Sequence, residues 1–120
     1  MAGDDGENTK IGGSRHITVQ LRDSLHVGLE RTVDVKNADH ISIGADRTTT
    51  IFGRDDLTVG ERLTITASEA RIITGKASLV LKKDGSIQLK GKSISIESDG
   101  DLEIAAKNDL VLKGSRIRQS

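Results

Sequence analysis

Three histidines, 18 acidic side chains and a few Gly-Lys and Gly-Ser steps are the residues of this 120-residue chain that could do chemistry. Cysteine is absent, which excludes a disulfide framework, thiolate catalysis and any Cys-based zinc site. Adjacent carboxylates such as Asp55 and Asp56 could be imagined as acid and base. A working pair needs a concave, partly desolvated site. A sugar substrate would also want aromatic rings to stack on, and Phe52 is the only one present. Gly75-Lys76 and Gly114-Ser115 do not belong to a phosphate-binding loop pattern. The Gly-Gly-x-Gly-x-Asp nonapeptide of calcium-binding β-rolls is missing too. The sequence therefore predicts a protein that is not an enzyme and carries no cofactor or metal.

Composition says what kind of scaffold to expect instead. The chain is 34% hydrophobic, 30% charged and 1% aromatic, with no proline. It is long enough for one domain. Ordinary domains of this size fill a thick core with large aromatics, so this core must be thin and aliphatic. Lys+Arg and Asp+Glu both number 18, for a formal net charge of zero. No bulk electrostatic pull toward nucleic acid or an anionic membrane follows from that balance. No apolar run approaches the roughly 20 residues of a membrane helix, and no signal peptide is visible.

The organising feature is a repeat of eight. Counting from Ile17, one column reads Ile17, Leu25, Val33, Ile41, Thr49, Leu57, Ile65, Ile73. The column two residues later reads Val19, Val27, Val35, Ile43, Ile51, Val59, Ala67, Gly75. Fourteen of these sixteen positions are apolar; chance would give about five. Between each pair stands one mostly polar residue, as in Thr18, His26, Asp34 and Ser42. That is strand alternation, and the β-branched content suits it. Gly28, Gly44 and Gly60 share one phase, where tight geometry is expected.

Past Gly75 the pattern resumes after a shift. The inward pairs become Leu79 with Leu81, Ile87 with Leu89, Ile94 with Ile96, Leu102 with Ile104, and Leu110 with Leu112. The six-residue step from Ile73 to Leu79 marks a register break. Lys82-Lys83-Asp84-Gly85 and Ser98-Asp99-Gly100-Asp101 have the composition of turns. The expected organisation is a flexible lead-in over 1–14, an octad block over 15–75 and a distal segment with a tip over 76–120. No helix is expected anywhere.

One octad cannot bury two aliphatic side chains alone, so stacking must do it. A single chain could coil into a triangular solenoid. Alternatively, three chains could wind about one axis, each supplying one side of every layer. The charges bear on the choice. Asp23, Arg31, Asp39, Arg47 and Asp55 share one phase and alternate in sign. In the three-chain arrangement, octad n of one chain lies against octad n+1 of its neighbour, and opposite charges meet. In a single-chain coil the neighbours are n and n+3, which also oppose, so the ladder favours three chains only mildly. Each exposed pair is worth about 0.2–1 kcal/mol; its larger effect is on register. On the three-chain prism His16 and His40 share a face three layers, or roughly 14 Å, apart. They cannot share a metal, and His26 faces outward at another phase, so all three read as surface histidines.

The octads and the tail together resemble the C-terminal needle of the valine–glycine repeat spike proteins, VgrG, of type VI secretion systems. These are relatives of the cell-puncturing spike of contractile phages. The resemblance rests on HISIGADRTTTIFGRDDLTVG over 40–60 and ITGKASLVLKKDGSIQLKGKSISIES over 73–98, followed by DLEIAAKNDLVLKGSRI over 101–117. It implies an all-β, triple-stranded β-helix of three parallel chains, with the inward columns forming the trimer core. It implies upstream hub modules on a longer protein and a secretion tube behind them. Ile117, Arg118, Gln119 and Ser120 would form the tip that seats a PAAR-type protein or an effector. Assembly would take place in the bacterial cytoplasm, followed by translocation through the apparatus into a target-cell envelope. The His-x-His sequence of the phage-type metal-binding tip is absent. A trimeric adhesin stalk or phage fibre shaft is the alternative reading of the same repeat.

Overall fold

Aliphatic pairs separated by small polar residues give the backbone no helical face to bury. In the computed structural model, which describes residues 6–120, it forms no helix. The first five residues of the lead-in lie outside the described residues. The chain divides into two units, Met1–Gly53 and Arg54–Ser120.

In the first unit the backbone bends at eight-residue intervals: at Gly12-Gly13, Gln20-Leu21, Gly28-Leu29, Lys36-Asn37, Gly44-Ala45 and Phe52-Gly53. The second unit continues the series at Gly60-Glu61 and Ser68. Gly28, Gly44 and Gly60 each open a bend, as their phase suggested, but none of the three has a positive φ. The alternate bends open on Gln20, Lys36, Phe52 and Ser68. Glycine is therefore not what makes the chain turn. The bend keeps the eight-residue phase whichever residue opens it.

Between the bends the chain has no backbone partner of its own. Among the described residues, every backbone hydrogen bond lies within residues 69–90. Backbone N–H and C=O groups must pair with something. Within the chain, those of residues 6–68 and 91–120 have no backbone partner, and of them only the Asp101 carbonyl accepts from a side chain, Ser98 Oγ at 3.0 Å. A single-chain coil would pair octad n with octad n+3, and no such pairing is present among the described residues.

Residues 69–90 form the one sheet among the described residues, an antiparallel meander in the order β1 (Glu69–Thr74), β2 (Ala77–Lys82), β3 (Ile87–Lys90). The register break of the sequence is this meander. Gly75 and Lys76 make the two-residue turn between β1 and β2, with Thr74 opposite Ala77. Gly75 has φ 54 and Lys76 a negative φ, the signs of a type II′ turn, whose first central position favours glycine. The octad alignment had carried Gly75 in an inward column; the structure gives it the turn.

The second connection is the Lys-Lys-Asp-Gly turn that the sequence marked. Gly85 N–H donates to the Lys82 carbonyl at 3.0 Å, and Lys82 N–H donates to the Ser86 carbonyl at 3.0 Å. Gly85 takes φ 93, completing a three-residue loop of the turn-plus-bulge type. Asp84 Oδ1 accepts from the Ser86 backbone N–H at 2.9 Å. That hydrogen bond, with a smaller one from the Ser86 side chain, holds the Asp84 carboxyl below its ordinary value. The sign of the linkage follows: this support is complete above about pH 3.9 and is lost as pH falls through the lowered folded-state value. The Ser86 amide resonance is expected to move with pH in that acid window, and the step is expected to vanish in Asp84→Asn.

Candidate functional site

Two apolar rows of side chains dominate what the chain presents. No residue in the described chain is buried, and the accessible surface is 13781 Å². A folded monomer of 12.8 kDa exposes roughly 6,300 Å². The difference reflects a chain that encloses none of its own residues.

The side chains expected to form a core are therefore not enclosed by their own chain. In the octad block Ile17, Val19, Leu25, Val27, Val33, Val35, Ile41, Ile43, Ile51, Leu57, Val59, Ile65 and Ile73 are all exposed. In the distal segment Leu79 is half-buried, whereas Leu81, Ile87, Leu89, Ile94, Ile96, Leu102, Ile104, Leu110 and Leu112 are exposed. The reason is geometric. A single extended strand covers a side chain from one side only, and a core needs further strands facing it.

The two octad columns are not equivalent. Members of the second column from Val19 to Val59 are 44–50% exposed, and apolar members of the first column from Ile17 to Ile65 are 62–76% exposed. The second column immediately precedes each bend, so the chain partly covers it as it turns. Leu21, Leu29 and Phe52 sit on the bends themselves and are fully exposed. Ile11 stands just before the Gly12-Gly13 bend and is 47% exposed, like the second column. The repeat thus begins one octad before Ile17, inside the glycine-rich lead-in. A single aliphatic residue before Gly-Gly was the only sequence signal of it.

Beyond the sheet the order reverses. Bends at Lys92-Ser93, Asp99-Gly100 and Lys107-Asn108 precede the pairs that begin at Ile94, Leu102 and Leu110. The better-covered member is now the first. Ile96 is more exposed than Ile94, Ile104 (63%) more than Leu102 (58%), and Leu112 (69%) more than Leu110 (57%). In both halves the residue beside the bend is the one its own chain covers. Ile96, Ile104 and Leu112, each three residues from the nearest bend, are the less covered members of their pairs.

In the sheet, cross-strand pairing fixes the faces. Ile72 lies opposite Leu79, and Leu79 opposite Leu89; Ala70, Leu81 and Ile87 form the next row. Ala77 and Thr74 complete this uncharged face. Its centre is a shallow apolar hollow lined by Ile72, Thr74, Ala77, Ser78, Leu79 and Leu89. Ile73, which the eight-residue count placed with the inward residues, lies on the other face with Glu69, Arg71, Lys82 and Lys90. A one-residue slip moves every side chain to the opposite face, so Ile72 is the residue that the count missed. Counting back from the Gly75-Lys76 turn would have found it.

Within the strands of the sheet, charge is confined to the face of Ile73. Arg71 Nε donates to Glu69 Oε2 at 2.8 Å. The Glu69 carboxyl is lowered first by that hydrogen bond, then by the Arg71 charge and, more weakly, by Lys82 across the strand pair. Arg54 and Asp56 form the other ion pair, at 3.1 Å. Among the described residues Asp23, Arg31, Asp39, Arg47 and Asp55 make no ion pair within the chain. Among the same residues no three His, Asp or Glu side chains converge on one point.

No protein-family model matches this chain, and no curated protein matches it. The reading of its function therefore rests on the columns, the bends and the sheet.

Thr49 is the one polar member of the first column before the sheet. In the three-chain arrangement expected from the sequence, its hydroxyls would need partners or water. Thr49→Val is expected to raise the thermal midpoint, by the equivalent of about 1 kcal/mol per chain. Thermal unfolding followed by circular dichroism would check this; a clear fall would show that the hydroxyl is used.

Proposed function

We propose that this chain is one of three parallel strands of a β-helical needle, and that the needle is the C-terminal part of a type VI secretion spike. The observation that carries the reading is the bend repeated every eight residues along stretches that make no backbone hydrogen bond within the chain. Such a stretch, with two exposed aliphatic columns, is what one side of an inter-chain prism looks like by itself. Strands from two neighbours would supply the missing backbone partners. The columns would then close on the axis as a dry aliphatic core.

The mechanical use follows from that construction. In a sheet continuous between chains, shear along the axis must break many hydrogen bonds together, so the prism resists bending and splaying. A contractile apparatus would drive it, with its hub modules and tube behind it, through a target-cell envelope. The end near Ile117–Ser120 would carry a PAAR-type tip protein or an effector. No catalytic step is assigned to the chain.

Solution mass is the direct test. Sedimentation is expected to show three copies of the 12.8 kDa chain; one copy would end the reading. Use as a needle is tested by carrying the chain on the spike of a bacterium with a type VI apparatus. Release that depends on contraction supports the needle, whereas retention at the cell surface favours a stalk.

A further inference from the structure

We infer that the meander of residues 69–90 is the element that brings three chains together in register, its uncharged face docking against the same face of two further copies. This rests on the three-chain reading and adds to it where assembly starts.

Three observations converge on this. The meander is the only part of the described chain that satisfies its backbone within one chain. Its turns are short, Thr74 pairing with Ala77 and Lys82 with Ser86. Hairpins of this kind close in about 1–10 μs, before any chain meets another. The octads have no such local route, since their partners belong to other chains.

The second observation is the distribution of charge. Glu69, Arg71, Lys82 and Lys90 all lie on one face, and the face of Ile72, Leu79, Leu81, Ile87 and Leu89 carries no charge. Identical copies can therefore meet on this face about a three-fold axis without burying like charges. Three strands are the fewest that hold together alone, and here the apolar face still has nothing over it. The occupant is a second and third copy, because the chain enters and leaves the sheet through stretches that need those same copies as backbone partners.

The third observation is uniqueness. An octad array tolerates a slip by one octad with its aliphatic columns still aligned. The meander occurs once in the described chain. Three meanders in contact fix all the octads at once, and strands can zip outward from them in both directions.

Refolding of the full chain from denaturant, with trimer formation followed by light scattering, tests the inference. Leu79→Ala, in the centre of the face, is expected to slow assembly at least about tenfold, because it weakens contacts formed early. Val35→Ala, in the octads, is expected to leave the assembly rate within about twofold and to speed disassembly. Gly75→Val, at φ 54, should slow assembly like Leu79→Ala, and Gly75→Asn, which accepts a left-handed backbone, should restore it. If Val35→Ala slows assembly as much as Leu79→Ala in a wild-type trimer, the inference is overturned and the three-chain reading stands. A wild-type mass of one chain overturns both.

Discussion

Ile43→Asp is expected to abolish assembly near neutral pH and to regain it partly in acid. In the proposed prism Ile43 occurs three times in one layer, so the substitution places three carboxylates in a dry core. Burying one unpaired charge costs several kcal/mol, and like charges at short range raise the cost. Both effects push the carboxyl pKa up in the assembled state. The penalty is therefore absent below the unfolded-state value, near 3.9, and grows as pH rises above it. Ser42→Asp, one residue away on the outward phase, is expected to assemble at every pH. Oligomer mass against pH for the two variants is the measurement. Equal behaviour would mean that the inward phase is misassigned.

A comparable contrast is expected within the sheet. Ile72→Asp puts a charge on the uncharged face, in the row with Leu79 and Leu89, and should prevent three faces from meeting. The cost is again several kcal/mol per buried charge. Ile73→Asp puts the same charge on the face that already holds Arg71, Lys82 and Lys90. It should leave assembly intact, with a thermal midpoint close to that of the parent. Loss of the trimer in Ile73→Asp, with Ile72→Asp unaffected, would restore the strict eight-residue count and sink the face assignment.

That pair of residues also shows how far the sequence can be read. Between Ile17 and Ala67 the columns and the bends keep one period, so a count in eights locates each bend. The all-β character and the Lys82–Gly85 turn were legible for the same reason: alternation and turn chemistry are local. The count failed at Ile73, where a two-residue turn reverses the chain and the period no longer applies. Gly75-Lys76 carries the signal of that reversal, but it is easily hidden inside a repeat with glycines at other phases. Ile11 was lost in a different way, because one aliphatic residue among glycines shows no period. In the proposed prism the partners of the octad backbone belong to other chains, and one chain does not make them legible. The same holds for what would cover Ile104 and Leu112, whose alternation marks a face without saying what meets it.

If the chain assembles as proposed, the unpaired backbone of the octads makes the needle a concentration-dependent object. A chain with no backbone-to-backbone hydrogen bonds of its own across residues 6–68 and 91–120 has no folded monomer to fall back on in those stretches. Folding and association become one equilibrium, of third order in chain. Each tenfold dilution then removes about 2.7 kcal/mol from the stability of a trimer, by mass action alone. A thermal midpoint for this protein has meaning only beside the protein concentration at which it was taken. A cell making the chain at low level would depend on slow dissociation, rather than on equilibrium, to keep its needles whole.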